Sequence, residues 1–209
     1  LTVDSTGRTQ LIHESSMPLQ GVLLDTDGAL RYAGGNSGGA FDTVLWRFGA
    51  GPDGADREEI MRCPLPQRCR LLAWHEDTVW ALAQYGSHDG ADRTSLQQLD
   101  PDSARWRRLH SDPRGIADAV SVLMHPDGKD WLALAYRPDR LQWHGHGAKA
   151  GTMLTELQKK LPDANLALTA SNDGKRWLVQ ASQANWACDR HFLYDPRTAE
   201  LAPAFAPDR

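Results

Sequence analysis

The sequence has only three cysteines among its 209 residues, too few for a disulfide scaffold. It has no Cys-x-x-Cys pair, which leaves a zinc ribbon or a thioredoxin-type site without ligands. It has no apolar run near the roughly 20 residues that a membrane helix needs, so no membrane span is expected. It has no excess of basic residues: formal charge is -4 and the isoelectric point is near 6.0. That balance argues against a nucleic-acid face as the main business of the chain. No Asp-x-Asp-x-Asp-Gly run followed by Glu is present, so its many acidic turns are not calcium loops. There is no signal peptide, and Leu1 is not a start methionine, so the chain reads as an excised piece or a processed product.

What is abundant is turn and tryptophan. Eighteen Gly, 12 Pro and 8 Trp point to a sheet protein with many corners. One unit recurs four times: a short apolar strand, an acidic turn, then a second apolar strand. Its aligned aspartates are Asp27, Asp77, Asp127 and Asp173, at spacings of 50, 50 and 46 residues. Asp-Gly in three of them predicts hairpins closed by primed turns, in which Gly takes a positive φ that Asp tolerates. The strands expected after these turns are Leu30–Ala33, Val79–Ala83, Trp131–Tyr136 and Trp177–Ala181.

A second repeat is offset from the first. Turns at Asp4–Gly7, Asp100–Ala104 and Asp195–Ala199 each join two short strands, the Asp-Pro pairs presetting a type I corner. Together the two turns give four strands per period of 46 to 50 residues, the content of one propeller blade. The fold class expected is therefore all-β, a partial-ring β-propeller of about four four-stranded blades. Their boundaries fall near 13–63, 70–112, 117–162 and 163–205, with 1–12 giving strands of a preceding blade. A β-sandwich of about 16 strands is the competing architecture, disfavoured because sandwiches lack such a period.

One segment breaks the pattern. From Gly151 to Leu161 apolar residues recur at helical spacing, Glu156 lies four residues before Lys160, and Pro162 ends the run. The third blade thus gives a short amphipathic helix where its fourth strand should be, expected as a packing element on the rim.

Several residues invite chemistry. Gly35-Asn36-Ser37-Gly38-Gly39 satisfies Gly-x-Ser-x-Gly, but a nucleophile elbow needs a helix after it, and Phe41–Arg47 alternates like a strand. His144 and His146 would share one face of a strand, with nothing to bring His125 or His110 to them as a third metal ligand. His13, His75, His88 and His191 are scattered among blades, so no Ser-His-Asp set assembles. The sequence therefore assigns no catalytic, cofactor-binding or metal-binding residue. Cys63 and Cys69 bracket a short Pro-containing loop and could form a disulfide, with two reduced thiols as the other reading. A bridge would imply a periplasmic or secreted protein; otherwise a cytoplasmic one is expected. Cys188 has no partner in sequence and reads as buried and inert. The tryptophans are expected to fill wedges between blades, and Arg105–Arg108 to lie on a solvated outer strand.

The order and spacing of these elements resemble a known family. Ala133–Arg140, the helix Leu154–Leu161, Asn165–Asp173 and Phe192-Leu193-Tyr194-Asp195 are similar to the propeller of prolyl oligopeptidase family serine peptidases, the acylaminoacyl-peptidase-like and dipeptidyl-peptidase-like members above all. The resemblance is firmest from about residue 115 to 205. It implies a propeller that gates an α/β-hydrolase domain placed after it and selects peptide substrates, with no cofactor. The chain alone would then be non-catalytic and its parent a serine peptidase. The implied partners are that hydrolase domain and peptides, with self-association expected through open blade edges. A freestanding propeller acting as an interaction scaffold is the alternative.

Overall fold

The computed structural model describes residues 2–3, 6–11, 14, 18–37, 42–49, 57–76, 78–84, 93–100 and 105–205. Asp77, the turn at 101–104, Asp4 and Ser5, Gly38 and Gly39, and His13 and His88 lie outside them. The chain divides into two compact units, residues 1–111 and 112–209.

The first unit opens with a two-stranded ribbon, β1 (Thr2–Val3) and β2 (Thr9–Gln10). Two four-stranded antiparallel sheets follow. One is β3 (Leu19–Leu24), β4 (Leu30–Asn36), β5 (Thr43–Phe48) and β6 (Arg57–Cys63), in chain order across the sheet. The other is β7 (Cys69–His75), β8 (Thr78–Ala83), β9 (Ser95–Asp100) and β10 (Arg105–His110). β7 packs against β3, β4 and β5, so the two sheets face one another. Central strands are buried on both faces, as β8 reads at Val79–Ala83, which is why their sequences run apolar instead of alternating. Leu45, Met61, Ala81 and Ala83 form the core between the sheets.

The second unit holds a three-stranded sheet of β11 (Ala119–Met124), β12 (Trp131–Tyr136) and β13 (Gln142–Gly145). Helix α1 (Gly147–Lys160) follows it. A four-stranded sheet closes the unit: β14 (Asn165–Ala170), β15 (Trp177–Ser182), β16 (Arg190–Asp195) and β17 (Glu200–Pro203). α1 packs on β12 and β13 and sends Leu154, Leu157 and Leu161 into a core shared with Leu166, Trp177, Val179 and Tyr194. In chain order the helix thus follows the third strand where the other sheets continue into a fourth, and it packs on the sheet without pairing to it. It begins a full turn before the expected Gly151. No side chain caps its start at His146, and Gly147 and Gly151 are weak helix formers, so the sequence hides that first turn.

Three tryptophans tie neighbouring sheets together by the indole N–H. Trp74 donates to the Leu24 carbonyl at 3.2 Å, Trp106 to Ile60 at 2.8 Å and Trp143 to Leu166 at 2.7 Å. A flat side chain fills the gap between two sheets while its one polar atom meets a backbone acceptor. β10 is an edge strand with Arg105, Arg107 and Arg108 exposed, the solvated position expected of it.

The hairpin turns differ from the primed type. Gly28, Gly128 and Gly174 have φ of +81°, +69° and +67°, whereas Asp27, Asp127 and Asp173 do not share that conformation. Each Gly donates its N–H to the carbonyl three residues back, at 2.9 to 3.0 Å. This is a type I corner followed by a left-handed Gly, the arrangement of longer hairpin loops. The carboxylate braces the turn instead: Asp127 accepts from the N–H of Lys129 at 2.9 Å and Asp173 from that of Lys175 at 3.0 Å. In the first turn Asp25, not Asp27, has this role, accepting from Asp27 and Ala29.

Candidate functional site

Ser37 follows β4 directly, and its N–H donates to the Asp42 carbonyl at 2.8 Å. The next element is strand β5, so the strand-to-helix corner of a nucleophile elbow does not form. The Ser37 hydroxyl is buried, and no hydrogen-bond partner faces it among the described residues. Among the described residues no base stands within hydrogen-bonding reach of it.

The two histidines near the end of β13 do not converge. His144 sits edge-on to Tyr136, ring centroids 5.3 Å apart. His146 has left the strand to become the residue before α1 and lies over Trp131 at 4.3 Å. Among the described residues no three His, Cys, Asp or Glu side chains are grouped so as to hold a metal ion.

Cys63 and Cys69 end β6 and begin β7, and both thiols are buried in the core of the first unit. Thr43 brings them together: it is the strand partner of Cys63, and the Cys69 thiol lies 3.5 Å from its carbonyl oxygen. Hydrogen bonding with Cys63 and burial both push the Cys69 thiol far above the ordinary range, so as a free thiol it stays protonated. Cys188 is exposed, in contrast to the burial expected of it. It lies between β15 and β16, in a loop whose neighbours Ala187 and Asp189 are also exposed.

The side chains that do converge lie at the turn ends of the second unit. A cavity of about 790 Å³ is bounded by the β11–β12 turn, the start of α1 and the β16–β17 turn. Its apolar lining is Pro126, Leu132, Met153 and Trp177, the last only 1% exposed. Its polar lining is basic: His125, His146, Lys149 and Arg197, with no carboxylate among the lining residues.

Neighbouring carboxylates orient three of these four from outside the cavity. Asp127 lies 2.7 Å from His125 Nδ1, and Asp130 lies 3.7 Å from His146 Nε2. Asp195 accepts from Arg197 Nη2 at 2.7 Å. The guanidinium and the backbone N–H of Arg197 hold the Asp195 carboxyl down at about 2, so that pair stays ionised at any ordinary pH. Lys149 has no ion-pair partner among the described residues. Apolar floor and basic rim together suit a group with an apolar body and an anionic end. Thr152 is the one hydroxyl in the lining, and it is spent on the Ala148 carbonyl at 3.0 Å. The arrangement is equipped to bind and has no nucleophile paired with a base.

Sequence reasoning missed this cavity. Its parts come from turns 20 to 70 residues apart in the chain, and only the stacking of two sheets and a helix places them together.

No family model matches the sequence, and no curated protein matches it. Among solved structures the chain is similar to TolB from Acinetobacter baumannii, with a TM-score of 0.61 at 14% identity. The likeness covers 96% of this chain and 47% of TolB, so the chain spans about half the length of that protein. At that identity the likeness establishes the fold alone: an all-β chain of β-propeller type, with successive antiparallel sheets as blades.

Proposed function

We propose that this chain is a non-catalytic β-propeller segment that gates and selects peptide substrates for an α/β-hydrolase domain of the same polypeptide. The enzyme would be a serine peptidase of the prolyl oligopeptidase family. The observation that carries the binding role is the basic-rimmed, apolar-floored cavity of the second unit. A peptide with a free carboxylate beside an apolar side chain matches it in charge and polarity. Lys149 is the rim cation with no countercharge to give up, so it contributes most to an incoming anion.

The test uses the full-length gene product and peptide substrates with free or amidated C-termini. Lys149→Glu is expected to raise KM several-fold for the free acids, with kcat unchanged and the amides unaffected. Such a split marks binding lost equally from ground and transition states. A full-length product that hydrolyses no peptide and takes up no fluorophosphonate would end the peptidase reading. The second reading is a freestanding interaction scaffold, and that same null result would support it.

The reading extends to Cys63 and Cys69 as a disulfide. Two buried thiols lose two protons and two electrons to an oxidised dithiol partner by exchange. Closing so short a loop constrains the unfolded chain by about 2 kcal/mol. Non-reducing peptide mapping should recover the two cysteines in one cross-linked fragment, and reductant should lower Tm. Two alkylatable thiols after unfolding without reductant would refute the bridge.

A further inference from the structure

Among the described residues three of the four principal sheets have four strands; the third has three, and α1 follows β13 in the chain without pairing to its edge. Among the described residues β13 pairs only with β12, which leaves its outer edge open. Its register tells which backbone groups face outward. His146 donates its N–H to the Leu132 carbonyl at 2.8 Å, and the pairs Leu134–His144 and Tyr136–Gln142 continue that ladder two residues at a time. Antiparallel pairs alternate between bonded and non-bonded, so the N–H and C=O of residues 141, 143 and 145 point the other way. Leu141 confirms the alternation: its N–H reaches outward to the Asn165 side-chain oxygen at 2.9 Å. Trp143 and Gly145 follow it along the same edge, each with an outward donor and acceptor that no strand among the described residues takes up.

A groove of about 740 Å³ runs along this edge. All six residues from Arg140 to Gly145 form one wall. Leu154, Thr155 and Gln158 of α1 form the other, so an extended chain laid along β13 would have the helix beside it. The lining carries Arg140, Lys159 and His144 against a single carboxylate, Asp163. Arg140 pairs with Asp163 at 2.8 Å and Lys159 with Glu156 of α1 at 2.7 Å, but these four side chains are 43% to 77% exposed, contacts weak enough to be exchanged for those of an incoming acidic strand.

We propose that the outer edge of β13 captures an extended acidic segment of a partner protein, which completes the third sheet as its fourth strand. Backbone bonds to Trp143 and Gly145 supply the pairing, as in strand addition to other open sheet edges. Alternate side chains of the incoming strand fall on the two faces of the sheet. One apolar side chain rests against Trp143 and Leu154, and acidic neighbours meet Arg140 and Lys159. This inference is independent of the peptidase reading, because it concerns the outer edge of the sheet and not the cavity at its turn ends.

The test uses the full-length protein and a fluorescent acidic octapeptide with Val at alternate positions, read by polarisation and by amide hydrogen exchange. N-methylation of alternate amides on the edge that meets β13 should weaken binding at least tenfold; the same modification on the opposite edge should change it less than twofold. Exchange at Trp143 and Gly145 should slow at least tenfold on binding. Thr155→Trp, an exposed helix position that fills the groove, should abolish capture. Lys159→Glu should weaken it several-fold while leaving the circular dichroism unchanged. The N-methyl series needs no variant protein and so stands even where a substitution disturbs folding. Absence of binding, equal loss from both methylated edges, or none from either would overturn the proposal. So would concentration-dependent dimers in which Trp143 and Gly145 are already protected, since a second copy would then be the occupant.

Discussion

Replacing Asp112 by alanine is expected to destabilise the second unit by about 2–4 kcal/mol, read as a lower midpoint in urea with an unchanged slope. Asp112 is the first residue of that unit, and its side chain is 1% exposed. One carboxylate oxygen accepts from the N–H of Arg114 at 3.2 Å; the other accepts from Ile116 at 3.1 Å and Ala117 at 2.9 Å. These bonds fold the six residues before β11 into a tight loop. Burial pushes the carboxyl pKa upward, but the three backbone donors and the Arg114 guanidinium outweigh it and hold the group below its ordinary value. Alanine would leave those donors in a place where water replaces the carboxylate poorly. A pH series separates this cause from lost packing. A depressed carboxyl contributes stability that is complete above its unfolded value and is lost as pH falls through its native one. The gap between wild type and Asp112→Ala should therefore be full at pH 7 and narrow in acid. A gap independent of pH would mean that the charge is not the cause.

Gly145→Ala is expected to cost about 2–3 kcal/mol, through overpacking against a backbone that cannot yield. A Cβ at Gly145 would lie 2.3 Å from the Gly151 nitrogen and 2.5 Å from the Ala150 carbonyl carbon. Flexible side chains give way cheaply, but here both obstacles belong to the main chain of α1. Relief requires moving the helix, which would drag Leu154 and Leu157 from the core of the second unit. Faster amide exchange throughout α1 should accompany the loss of stability. The contrasting substitution is Gly151→Ala. A Cβ there meets nothing within 4 Å and the position is helical, so it should stabilise by about 0.5–1 kcal/mol. If both substitutions act alike, close approach is not what Gly145 is for.

Particular residues show how far the sequence could be read. Trp131–Tyr136 and Trp177–Ser182 lie where the repeat sets them, because an apolar run between two turn signals has few ways to fold. The replacement of a fourth strand by α1 was legible from Leu154, Leu157 and Leu161, a spacing no strand uses. The form of the Asp-Gly corners was not, since one dipeptide serves several turn types and the loop length selects among them. Cys188 misled because burial tendency describes an average cysteine, whereas this one sits in a loop that no other element covers.

Local order in this protein follows from neighbours in the chain: periodic apolar residues, Gly at left-handed corners, and carboxylates two residues before the N–H they accept. These are short-range constraints, and the sequence by itself determined them, and with them an all-β repeat of blade-sized units. The basic cavity, the open edge of β13 and the close contact of Gly145 with α1 were decided by tertiary structure alone. Each joins groups from separate elements. Their distances depend on how sheets and helix pack, and packing is a property of the whole unit that no local pattern encodes.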